Sequence, residues 1–89
     1  MFIETQDGRF INAEKIRLIY VFGNELRADV DWDKTISITL GEYDTNEDAE
    51  EAKLQLAKEI IENDESIFSA PTQQEIQIRK RGWMDDYES

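Results

Sequence analysis

The chain has 89 residues, with 21 acidic and 10 basic side chains and a net charge of −11; a chain this long holds one hydrophobic core and has no room for two. Its field repels nucleic-acid phosphates, which argues against direct binding of DNA or RNA. Cysteine and histidine are both absent, which removes disulfides, thiolate nucleophiles, the usual general base and the usual zinc ligands.

Met1 to Arg9 is short and of mixed character, unlike the basic and then apolar layout of a secretory signal. No apolar run approaches the roughly 20 residues that a membrane span needs. The expected address is cytoplasmic, with no membrane partner.

In chain order, Met1 to Thr5 is β-prone, Gln6-Asp7-Gly8 is turn chemistry, and Arg9 to Asn12 returns as a second strand, giving an N-terminal hairpin. After a bend at Ala13 to Lys15, the run Ile16-Arg17-Leu18-Ile19-Tyr20-Val21-Phe22 is apolar on both faces and predicts a central strand. Gly23-Asn24 is a second turn. Leu26, Ala28 and Val30 then alternate with Arg27, Asp29 and Asp31, so one side is core and the other water. A connection at Trp32-Asp33-Lys34 leads to Thr35 to Leu40, where Ile36, Ile38 and Leu40 alternate with Thr35, Ser37 and Thr39.

The period changes at Gly41. Thr45 is a good N-cap, with Asp48 three residues on in the place of a capping-box acid. Ala49, Ala52, Leu56 and Ile60 recur at helical spacing, with Leu54, Ala57 and Ile61 widening the stripe, and Asn63 is the expected stop. Residues 42–65 hold ten carboxylates against Lys53 and Lys58, a local balance of −8. Ser66 to Ala70 reads as a short closing strand ended by Pro71, the only proline. The remainder, 72–89, is polar and reads as a tail after a single domain of residues 1–71. The expected fold is α+β: an antiparallel sheet of about five strands with one α-helix on one face and a short final strand.

Three stretches carry a resemblance: Thr5-Gln6-Asp7-Gly8-Arg9-Phe10-Ile11-Asn12, then Leu40-Gly41-Glu42-Tyr43-Asp44-Thr45 leading into the acidic helix, then Ile67-Phe68 shortly before Pro71. Over residues 1–71 the order of these pieces resembles small uncharacterised proteins of Gram-positive bacteria and their phages. The resemblance implies fold and cellular setting, including a prophage association, and transfers no activity and no site residues. Those proteins usually carry a Met-Pro pair where this chain has Ala70-Pro71, and 72–89 extends beyond their pattern.

Little in the chain points to catalysis. Asp29, Asp31 and Asp33 look like the opening of a calcium loop, but Lys34 and Leu40 fill the positions that need glycine and a bidentate glutamate. Gly8, Gly23, Gly41 and Gly82 are isolated and build no phosphate-cradling loop. No cofactor and no enzymatic role are expected.

The candidate partner-binding residues are aromatic and basic. Trp32, at a strand end, reads either as a lid on the core or as a binding anchor. Trp83, Met84 and Tyr87 form a docking element if the tail is not packed back on its own domain. Arg79-Lys80-Arg81 reads as a solvated run or as a contact to the acidic helix. Because one helix covers one sheet face, Leu18, Tyr20 and Phe22 against Ile19 and Val21 predict an apolar patch on the other face, covered by a protein partner, a second copy or the tail. The expected function is a non-enzymatic protein–protein interaction or accessory module; the alternative is an acidic nucleic-acid mimic that binds a basic host protein through residues 42–65.

Overall fold

The computed structural model describes residues 1–31, 35–63 and 65–78. It contains β1 (Phe2–Glu4), β2 (Phe10–Asn12), a 3₁₀ turn (Ala13–Lys15), β3 (Ile16–Phe22), β4 (Glu25–Asp31), β5 (Thr35–Glu42), α1 (Asn46–Glu62) and β6 (Ile67–Ser69). Residues 73–78 add a short helical segment. The α+β class holds, but the strands divide into two three-stranded sheets, ordered β2-β1-β6 and β3-β4-β5, instead of one five-stranded antiparallel sheet.

The first sheet is mixed. β1 and β2 form the antiparallel N-terminal hairpin, with Ile3 opposite Ile11, and β6 pairs parallel to β1, with Phe68 opposite Ile3. A parallel partner needs a long crossover, and here everything from β3 to α1 supplies it. The Phe2 N–H donates to the Ser66 carbonyl and the Ala70 N–H to the Glu4 carbonyl, at 2.8 and 2.9 Å, so both ends of β6 are tied to β1.

The second sheet is an antiparallel meander. Gly23 has φ 64° and opens a two-residue hairpin loop, the conformation that matches the twist of the flanking strands and that glycine adopts without strain. β4, not β3, is the middle strand. β3 was expected at the centre because both of its faces are apolar; side-chain pattern reports what covers the faces of a strand, not what pairs with its edges. A register shift between Ile16 and Leu18 turns consecutive odd-even positions over: Ile16 stands opposite buried Val30, whereas Leu18 stands opposite Asp29 on the other face.

Leu26, Ala28, Val30 and Leu40 are fully buried, as their alternation requires. They pack with Ile3, Ile11 and Phe68 of the first sheet and with Ala49, Ala52 and Leu56 of α1 in one core. Each large side chain buried in this way contributes about 1.5–3 kcal/mol relative to exposure. α1 begins where Thr45 accepts from the Asp48 N–H at 3.1 Å and stops at Asn63, as expected. Its buried stripe is narrower than the expected one: Leu54 and Ile61 are 62% and 83% exposed, and Ala57 is also exposed.

The packed unit continues past Pro71. Ile76 is fully exposed to no solvent at all, at 0%, and joins the same core. Thr72 caps the segment 73–78, accepting from the Glu75 N–H at 3.1 Å while its hydroxyl donates to the Glu75 carboxylate at 3.3 Å. Ile76, within the stretch 72–89 read as a tail, is as much a core residue as Leu56. Among the described residues no helix is long and apolar enough to cross a membrane.

Candidate functional site

The residues singled out for partner binding, Trp32, Arg79, Lys80, Arg81, Trp83, Met84 and Tyr87, lie outside the described residues. What the described residues do present is the outer face of the β3-β4-β5 sheet. α1 packs on the inner face, over β3 and β4. The pairings Leu18↔Asp29, Tyr20↔Arg27 and Phe22↔Glu25 put these six side chains on the opposite side, next to Ser37 and Thr39 of β5.

On that face Leu18 is 55% and Phe22 64% exposed. Singly, such residues are ordinary; two on one strand, flanking a half-buried tyrosine, make a strip. The polar groups around the strip are tied to one another. The Tyr20 hydroxyl donates to Asp29 Oδ1 at 3.2 Å and lies 2.9 Å from Ser37 Oγ, so one tyrosine bridges all three strands. Thr39 Oγ1 donates to Glu25 Oε1 at 3.0 Å.

Arg27 completes the face. Its guanidinium carbon stands 5.4 Å from the centroid of the Phe22 ring, within cation–π range. Glu25 Oε1 lies 3.7 Å from Arg27 Nε, an ion pair without a hydrogen bond, and the buried Nε makes no hydrogen bond among the described residues. Arg27 and Glu25 thus sit side by side at the border of the strip, with the guanidinium against the Phe22 ring. The sequence pointed to Leu18, Tyr20 and Phe22; it did not point to Arg27, whose alternation marked it only as a water-facing residue.

A second feature sits at the far end of α1. Glu59, Asn63, Glu65, Ile67, Phe68, Ser69 and Glu75 line a polar recess of about 350 Å³. Among the described residues no group of three or more acidic side chains is placed to hold a metal ion. Asp29 is bound to Tyr20, while Asp33 lies outside the described residues.

The two sheets meet at a third, partly buried place. Gln6 donates from Nε2 to the Pro71 carbonyl at 2.9 Å and accepts the Glu42 N–H at 2.8 Å, while the Tyr43 hydroxyl donates to the same Pro71 carbonyl at 2.5 Å. Burial pushes the Tyr43 hydroxyl up to about 12. The group is neutral at every physiological pH, and its role is to fasten the chain after β6 to the start of the helix connection. Asp7, by contrast, is a surface carboxylate held below its ordinary value by hydrogen bonds from Thr5 and Arg9.

The fold defines a small α+β protein with, among the described residues, two three-stranded sheets and one sheet side that no described element covers. No protein-family model, curated protein or solved structure matches the chain.

Proposed function

We propose that the protein is a non-enzymatic protein–protein interaction or accessory module that recognises its partner with the outer face of the β3-β4-β5 sheet. The observation that carries this reading is the strip Leu18, Tyr20 and Phe22 with Arg27 laid over Phe22, on a sheet face that no described element covers. Tyrosine and arginine dominate interface hot spots, and an aliphatic and aromatic border excludes water around them. The prophage setting implied by the resemblance suits such an accessory role.

The acidic-mimic reading has its own support in the exposed carboxylates Glu42, Asp44, Glu47, Glu62 and Glu65. Against it, Leu54, Ala57 and Ile61 interrupt the outward side of α1, and Lys53 pairs with Glu50 at 3.1 Å, so the acid does not form an unbroken phosphate-like track. The interaction module is the stronger proposal.

The two readings separate in one experiment. Affinity capture from host lysate, run with the full chain, compares L18S/F22S with the charge-reversed E47K/E50K/E51K. Under the sheet-face reading a partner captured by the wild type is lost with L18S/F22S and kept with the reversed helix. Loss with the reversed helix alone, together with competition by DNA, would replace this reading with mimicry.

A further inference from the structure

The two residue faces described above flank a third surface, the outer edge of β3. In a two-residue hairpin the residues beside the loop form the first hydrogen-bonded pair, so bonding alternates from there. Phe22, Tyr20 and Leu18 turn their backbone groups toward β4, and Ile19 and Val21 turn theirs outward. Among the described residues no backbone or side-chain group bonds to those outward positions. Natural edge strands are usually blunted by proline, inward charge or brevity. β3 is seven residues long, contains no proline and no carboxylate, and carries a single charge at Arg17.

Both sides of this edge are apolar. On the outer side stand Leu18 and Phe22; on the inner side Ile19, Leu54, Leu56 and Ala57, with Lys53, line a groove of about 230 Å³ between β3 and α1. Ile61, 83% exposed, continues the helix stripe.

We propose that a second copy of the chain pairs antiparallel with this edge, β3 against β3, to give a continuous six-stranded sheet with two helices on one face. The spacing fits. Paired strands lie about 4.8 Å apart, and α1 lies over β3 and β4, so its axis stands about 5 Å from the two-fold axis. The two helices are then about 10 Å apart, the distance at which helices pack. The Leu54, Ala57 and Ile61 stripes face each other across the axis, and each groove receives the other copy's side chains.

Charge permits pairing at this edge. Two chains of net charge −11 repel, and β3 is a surface on which they can meet without setting strand carboxylates against each other. The contact is small: about 23 Å of strand edge, at roughly 3.3 Å per residue, by about 20 Å across the helix and sheet layers. That is about 900 Å² for the pair, the size of a reversible interface rather than an obligate one. This inference is independent of the sheet-face reading, because it needs no other protein and uses the edge instead of the face.

The test is sedimentation equilibrium of the full chain over a range of concentrations, paired with amide hydrogen exchange. The wild type should show a dimer that strengthens between about 0.05 and 0.5 M salt, as screening relieves repulsion, and exchange at Ile19 and Val21 should slow as concentration rises. L54K/I61K, which alters only exposed side chains, should weaken the dimer by about tenfold or more while leaving the circular dichroism unchanged. A strictly monomeric mass at all concentrations overturns the proposal. So does a dimer that leaves Ile19 and Val21 exchanging freely, which places the contact on the sheet face. Protection of those amides in the monomer also overturns it, by showing that the chain's own 79–89 segment occupies the edge.

Discussion

The Tyr43 hydroxyl donates to the Pro71 carbonyl at 2.5 Å across 28 residues of sequence. Gln6 donates to the same oxygen and also bonds the Glu42 N–H. One carbonyl thus gathers the first turn, the end of β5 and the exit from β6. Replacing Tyr43 with Phe keeps the ring in the core and removes one of two donors to that oxygen. The expected cost is about 1 kcal/mol, read as a lower midpoint in urea with an unchanged slope.

The same hydroxyl sets a pH limit. Its folded value of about 12 lies above the ordinary tyrosine value of 10, so the native state holds the proton more tightly than the unfolded chain. Its contribution is complete below about pH 10 and is lost as pH rises from there through about 12. Stability of the wild type should fall across that window, and Tyr43→Phe should flatten the fall. A slope unchanged by the substitution would assign alkaline unfolding to other groups.

Gly41 belongs to this junction for a steric reason. A Cβ added there would lie 2.7 Å from the Tyr43 hydroxyl and 2.9 Å from Gln6 Cδ. Gly41→Ala forces both donors off the Pro71 carbonyl and should cost about 1–3 kcal/mol, as overpacking does. In the Tyr43→Phe background the cost should shrink, because the nearer obstacle is gone; a double-mutant cycle measures that coupling.

Ile76 tests where the packed unit ends. Ile76→Ala should destabilise by about 2–4 kcal/mol, since the side chain is fully buried. A chain ending at 71 should lose at least as much, and one ending at 78 should retain the core contacts. Equal thermal midpoints for the 71- and 78-residue chains would show that Ile76 adds nothing.

The residues explain what could be read from the sequence and what could not. Leu26, Ala28 and Val30 were legible because period two with polar neighbours has one solution, a half-buried strand. Thr45 and Asn63 were legible because helix ends need side chains that bond free backbone groups. The split into two sheets was not, since the parallel pairing of Ile3 with Phe68 joins positions that local pattern does not link. The exposure of Leu54 and Ile61 was hidden for a related reason: periodicity marks apolar positions but not how wide a face the rest of the fold covers. Thr72-Gln73-Gln74-Glu75 was a readable capping box, with Ile76 directly behind it, and the neighbouring Pro71 and polar composition masked it. At the candidate site, Leu18, Tyr20 and Phe22 could be placed together, whereas the stacking of Arg27 on Phe22 required the β3–β4 register.

The open face of the β3-β4-β5 sheet is the central claim, and solvent paramagnetic relaxation tests it most directly. With a soluble paramagnetic probe added to the full-length chain at low concentration, the Leu18 methyl groups and the Phe22 ring should relax strongly while Leu26 and Val30 remain shielded. Shielding of Leu18 and Phe22 to the level of Leu26 would mean that another part of the chain covers the face, and would contradict the account.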